Sequence, residues 1–311
     1  MKRTSILAFL AAVGIWLALN GVAGWILLPP MLLQAPVPVR TEPEREAFRT
    51  RLAAGGGAWS TLVCRGGQAR PLRVWRLQRP GSAGVAVLLH GFGDDGWGPA
   101  YRLRDLPGWD GALFTFRGRD MDPTAPSTLG AWEGEDAAAV VRALEAHGTP
   151  RNRILLVGSS QGAGVALLAL RRLEAEGGPL AGALLESPFA SLPEAARDHL
   201  RGTLGWGELL LRPAERLALW RAGRIAGIPL AEVSPREAAR GLRTPVAYLA
   251  GDRDGITPLE GVRSVAGPGA DLTVVPGADH LEAGTRLPGG WARWAGLRLR
   301  AWGLGGPQKL K

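Results

Sequence analysis

Arg153-Ile-Leu-Leu-Val-Gly158-Ser159-Ser160-Gln161-Gly162-Ala163-Gly164 is an apolar run that meets a glycine-bounded serine and passes directly into a helical pattern. A strand that turns into a helix within one residue needs small neighbours, and Gly158 and Gly162 supply them. Such a turn lifts the Ser160 hydroxyl to the C-terminal edge of a sheet. It also places it at a helix N-terminus, which favours developing negative charge. Ser160 is therefore the candidate nucleophile. Ser159 has a hydroxyl too but lacks the two-sided glycine spacing. The competing reading is a helix-capping serine in a glycine-rich turn.

On either side of this turn, apolar runs of strand length alternate with longer helical patterns. Strands are expected at 60–65, 72–77, 85–90, 112–116, 154–158, 181–186, 246–250 and 272–275. Helices are expected at 132–147, 161–176, 259–266 and 291–302. The first two strand candidates alternate in polarity and suit an antiparallel edge hairpin. The later ones are solidly apolar, as strands covered on both faces are. The alternation predicts an α/β domain over 51–304 with a mostly parallel, doubly wound sheet. Residues 192–240 break the rhythm with helical pieces only, and are expected to form a cap inserted over the active edge.

The run 85–90 ends in His90-Gly91-Phe92-Gly93-Asp94-Asp95-Gly96. Taken literally this contains Gly-x-Gly-x-x-Gly, but Asp94 and Asp95 would face the pyrophosphate of a dinucleotide. It fits an oxyanion loop better, with the amides of Phe92 and Gln161 as the two donors. His90, at a strand end upstream of the nucleophile, is expected to order this loop.

A serine nucleophile needs a base, and the base needs an orienting acid. The chain has four histidines. His147 ends a charged helix, and His199 falls in a polar stretch of the cap. His280 follows the last strand candidate in Val275-Pro-Gly-Ala-Asp279-His280 and is the expected base. Gly251-Asp252-Arg253-Asp254 follows the preceding strand and offers two carboxylates. Asp254 lies further out on the loop and is preferred as the acid, with Asp252 as the alternative and Asp279 a minor one.

Composition narrows the class further. Hydrophobic residues make up 46% of the 311, enough for a sizeable core. Cys64 is the only cysteine, so no intramolecular disulfide and no cysteine-based zinc site can form. The net charge of +9 comes almost wholly from arginines scattered among acids. With no basic helix among them, nucleic acid is not an expected partner. Lys2 and Arg3 precede an apolar run at 6–28, long enough to span a bilayer, which Pro29 and Pro30 are expected to stop. An uncleaved signal anchor over 1–30 fits better than a cleaved signal peptide, because the run continues past Gly21-Val22-Ala23, a poor small-x-small site. The positive-inside tendency then places the catalytic domain outside the cytoplasm. Residues 31–50, with Pro36, Pro38 and Pro43, read as a stiff linker, and 305–311 as a tail.

Together these residues resemble the α/β-hydrolase superfamily, in particular the bacterial serine-aminopeptidase-like and prolyl-oligopeptidase-like hydrolases, including membrane-anchored members. The resemblance runs from about Gly84 to Leu281. It rests on His90-Gly91-Phe92, Phe116-Arg117-Gly118-Arg119, Leu129-Gly130 with Glu133 and Asp136, the Ser160 turn, Glu186-Ser187-Pro188-Phe189, Gly251-x-x-Asp254 and Gly277-x-x-His280. It implies an α/β-hydrolase fold, a Ser160–His280–Asp254 triad and no required cofactor. Arg119-Asp120 stands where the family more usually has His-Gly. The expected activity is hydrolysis of ester, thioester or amide bonds in small acyl substrates. A peptidase on the same triad and an inactive, membrane-tethered binding module are the alternatives.

Overall fold

The solidly apolar runs fold as the centre of an eight-stranded sheet because both of their faces are covered. In the computed structural model, residues 3–34, 40–54, 56–119 and 125–304 are described. The strands are β1 (Ala58–Arg65), β2 (Pro71–Gln78), β3 (Val85–Leu89), β4 (Asp110–Leu113), β5 (Ile154–Ser159), β6 (Gly182–Glu186), β7 (Val246–Gly251) and β8 (Asp271–Val275). Their order in the sheet is β1-β2-β4-β3-β5-β6-β7-β8. β2 runs antiparallel to both β1 and β4, and every other pairing is parallel.

The helices are α1 (Arg3–Val22), α2 (Leu28–Leu33), α3 (Glu42–Ala53), α4 (Arg102–Asp105), α5 (Ala131–Ala146) and α6 (Gln161–Gly177). They continue with α7 (Leu192–Leu204), α8 (Glu208–Ala226), α9 (Pro235–Ala239), α10 (Leu259–Ala266), α11 (Ala283–Arg286) and α12 (Gly290–Ala301). Side chains on β3 alternate between the two faces. Val85, Val87 and Leu89 join a core with α5 and α6, and Ala86 and Leu88 join one with α3, α4 and α12. Trp291 and Trp294 of α12 are buried in the second core, so they pack inward as most tryptophans do. The expected α/β-hydrolase architecture is observed: a mostly parallel sheet wound on both sides. Residues 192–240 hold α7, α8 and α9, joined by short turns, and no strand.

Three expectations are corrected. The strand expected at 112–116 leaves the ladder after Leu113; Phe114 and Phe116 stay buried, and the Phe116 N–H turns to His90 instead of a neighbouring strand. The segment read as a linker at 31–50 contains α3, whose start is a capping box between Thr41 and Glu44. Pro43 sits in its first turn, where no backbone donor is needed, and Leu52 is buried. Pro29 and Pro30 do not stop the N-terminal helix. A π-helical turn at Ala23–Leu27 absorbs them and the helix continues to Leu33. Leu7–Leu33 is long and apolar enough to cross a membrane. Pro36, Pro38, Asp120 and the tail at 305–311 lie outside the described residues.

Candidate active site

The chain reverses its winding direction between β3 and β5, since β4 lies on one side of β3 and β5 on the other. Loops leaving the C-terminal ends of such a pair diverge and leave a crevice between them. Ser160 follows β5, and the Gly91-Phe92 loop follows β3, so both reach this crevice.

Ser160 holds φ 53° and ψ −117°, a strained conformation for a residue with a side chain. Its N–H donates to the Glu186 carbonyl at 2.8 Å, which pins the turn to β6. Neither glycine beside it tolerates a side chain. A Cβ on Gly158 would lie 2.5 Å from the Gly162 carbonyl oxygen, and one on Gly162 would lie 2.1 Å from that of Leu89. The glycines at these two positions are thus imposed by close backbone approach.

His280 Nε2 lies 3.1 Å from Ser160 Oγ, and His280 Nδ1 lies 2.8 Å from Asp254 Oδ2. The Asp254 side chain is fully buried. Burial works to raise its carboxyl, but hydrogen bonds from His280 and Thr257 outweigh it and hold the group below the ordinary carboxylate value. Its Oδ1 accepts the N–H groups of Ile256 and Thr257, and its Oδ2 accepts the Thr257 hydroxyl at 2.8 Å. An ionised carboxylate only accepts, so His280 carries its proton on Nδ1 and leaves Nε2 free to accept from Ser160.

Asp252 is exposed and sits elsewhere, accepting the Gly277 N–H at 2.6 Å and tying the β7 loop to the β8 loop. The exposed side chain of Asp279 points back to the His280 N–H. His147 and His199 lie on the surface.

Phe92 and Gln161 stand at the rim of the crevice. A Cβ on Gly91 would stand 3.8 Å from Ser160 Cβ, which places the β3 loop against the serine. Gln161 opens α6, where backbone donors have no intrahelical acceptor. Among the described residues neither the Phe92 nor the Gln161 amide has a hydrogen-bond acceptor. Both are therefore open to an incoming oxyanion.

The β3 loop is held from below. His90 is fully buried, with Nδ1 2.8 Å from the Gly91 carbonyl and Nε2 accepting the Phe116 N–H at 3.0 Å. Burial first, and the Arg119 charge second, push its pKa down to about 3, so the ring is neutral. Arg119 donates from Nη2 to the Phe92 carbonyl. The residue that stands apart from the family's His-Gly thus helps to order the loop after β3.

Two contributors carry weaker sequence signals. Thr257 braces both Asp254 and, at 3.3 Å, His280 Nδ1; its signal is its place three residues after the acid. Glu186, buried at the end of β6, accepts from Arg102 at 2.7 Å and from the Gly284 N–H at 2.9 Å, just beyond the His280 loop. Between the cap and this site, Phe189, Ala195 and Asp198 face Ile256 and Thr257. A cavity of about 730 Å³ lies within the cap between α7 and α8, away from Ser160. Among the described residues, no group of three His, Cys, Asp or Glu side chains could hold a metal ion.

An acetyl-hydrolase of Streptomyces hygroscopicus is 38% identical over 127 residues, 40% of this chain and 38% of that protein, so the match spans well under half of the curated relative. Among solved structures, the esterase Pf2001 of Pyrococcus furiosus superposes with a TM-score of 0.64 at 20% identity, covering 87% of this chain and 98% of that one. A puromycin-hydrolyzing peptidase of Mycobacterium tuberculosis superposes with a TM-score of 0.56 at 19% identity, covering 79% of this chain and 39% of that one. At such identities the two superpositions speak to the fold. The sequence profile of the Alpha/beta hydrolase family matches residues 86–295, from the middle of the sheet to the last helix and including Ser160, Asp254 and His280. The chain belongs to the α/β-hydrolase family of enzymes.

Proposed function

We propose that the protein is a serine hydrolase that cleaves ester, thioester or amide bonds of small acyl substrates through an acyl-enzyme. The observation that carries this reading is the continuous hydrogen-bonded chain from Ser160 through His280 to Asp254. Ser160 Oγ attacks the carbonyl carbon while His280 Nε2 takes its proton. The resulting oxyanion accepts from the Phe92 and Gln161 amides. Asp254 holds the imidazole in the required tautomer and stabilises the imidazolium. As the tetrahedral centre collapses, His280 returns the proton to the leaving group, and the acyl chain remains on Ser160. Water, deprotonated by His280, then releases the acid.

Esters are the primary substrates in this reading, in keeping with the named activities of the acetyl-hydrolase and esterase relatives. The apolar helix at Leu7–Leu33 serves as a membrane anchor, with the catalytic domain on the extracytoplasmic side. The test is turnover of short-chain p-nitrophenyl esters by the wild-type chain and by Ser160→Ala. Loss of turnover in the variant is expected, and retained turnover overturns the proposal.

A further inference from the structure

We infer that the tip of the cap, the turn between α7 and α8, seats in a lipid bilayer beside the N-terminal helix. This rests on the reading of Leu7–Leu33 as a membrane anchor. The turn reads Leu204-Gly-Trp-Gly-Glu-Leu-Leu210, and Trp206 is 89% exposed, with Leu204, Leu209 and Leu210 exposed around it. Single exposed apolar side chains are ordinary on a protein surface. Four large ones within seven residues form a patch that calls for a partner.

The same tip is fastened to the N-terminal helix by its backbone. Trp16 Nε1 donates to the Leu210 carbonyl at 2.9 Å, and Asn20 Oδ1 accepts the Ala214 N–H at 3.1 Å. Pro213, which has no N–H of its own, lies between these two groups in α8. Asn20, the one strongly polar side chain in the apolar span Leu7–Leu33, is thereby buried and bonded. Gly24 allows the close approach, since a Cβ there would lie 2.6 Å from the Ala214 carbonyl oxygen. The patch on the tip is therefore continuous with the exposed apolar face of the helix.

Length identifies the occupant. Only the part of the helix before Trp16 projects free of α8, roughly 20 Å at 1.5 Å per residue. A hydrocarbon core is about 30 Å thick. A bilayer that takes up the apolar helix must reach the α8 contact, where the tip stands. Arg201 and Arg212 flank the tip with side chains 58% and 45% exposed, sharing the single carboxylate of Glu208 at 3.3 and 3.4 Å, so the trio keeps a net positive charge. Long cationic side chains of this kind lie along apolar surface with their heads among phosphates.

The test uses the full chain in a Cys64→Ala background, reconstituted into phosphatidylcholine–phosphatidylglycerol vesicles with or without brominated acyl chains. An environment-sensitive dye is placed in turn at Trp206→Cys, at Leu10→Cys on the helix, and at His147→Cys on the opposite end of the sheet. Folding of each is checked by its urea midpoint. Bromine quenching at positions 206 and 10 but not at 147 is expected. Quenching at 10 with none at 206 overturns the inference while leaving the anchor intact. A blue shift at 206 without quenching also overturns it, because a second copy of the chain then covers the tip. No quenching at position 10 removes the anchor reading, and the docking with it.

Discussion

Ser160, Asp254 and His280 are separated by 94 and 26 positions in the sequence, yet their polar atoms meet within 3.1 Å. Each stands on a loop at a strand end, and chain order singled out Ser160 and His280 as candidates. Spacing favoured Asp254 over Asp252 only by its place further out on the loop, because both follow the tight turn at Gly251. The structure separates them by burial: one is enclosed under Thr257 and the other ties two loops at the surface. Asp254→Asn should therefore lower kcat by about 10⁴, the scale at which a wrong imidazole tautomer acts. Asp252→Asn should leave kcat within a few-fold of wild type, and steady-state kinetics in which Asp252→Asn is the worse variant would reverse the assignment. His90 gives a stability prediction. In the folded chain it binds a proton only near pH 3, against 6.5 when unfolded. Between those values the unfolded chain holds the extra proton, so stability falls on acidification from about pH 6.5 toward 3. The slope from this one group reaches about 1.4 kcal/mol per pH unit. Urea midpoints measured at pH 7 and pH 5 should differ less for His90→Asn than for wild type, and equal pH dependence would remove His90 as the source.

At the scale of elements, apolar runs of strand length, alternating in the first two and solid in the rest, placed all eight strands, and strand–helix alternation placed α5, α6, α10 and α12. What the pattern missed follows from local backbone chemistry. β4 ends early because the Phe116 N–H serves His90, a contact that no spacing in the sequence announces. α3 was hidden because prolines near it suggested a linker, whereas Pro43 occupies a first-turn position. The elbow between β5 and α6 was fully legible, since its glycines answer a backbone approach that allows nothing larger. Gly162→Ala forces a Cβ to within 2.1 Å of the Leu89 carbonyl oxygen, and backbone there cannot swing aside as a side chain can. We expect this variant to lose roughly 1–3 kcal/mol or more of stability. Thermal unfolding unchanged from wild type would show that the elbow relaxes more freely than its contacts indicate.

The whole molecule joins three parts: a hydrolase sheet, the helical stretch at 192–240, and an apolar N-terminal helix packed on α8. Leu33, at the end of that helix, shares a buried cluster with Phe189, Leu219 and Leu230, so the N-terminal segment contributes to the cap's own core. Asn20→Leu would leave the buried Ala214 N–H without its acceptor, a loss of about 1–3 kcal/mol that urea unfolding of the full chain in detergent should register. An unchanged midpoint would mean that water or a shifted backbone replaces Asn20. All of these parts converge on one residue, so the most direct measurement is mass-spectrometric mapping of the chain after brief reaction with p-nitrophenyl acetate and an acid quench. An acetyl group on the peptide containing Ser160, absent from Ser160→Ala and much reduced in His280→Ala, is the predicted result. Acetylation at another residue with Ser160 unmodified, during undiminished turnover, would contradict the assignment of Ser160 as the nucleophile.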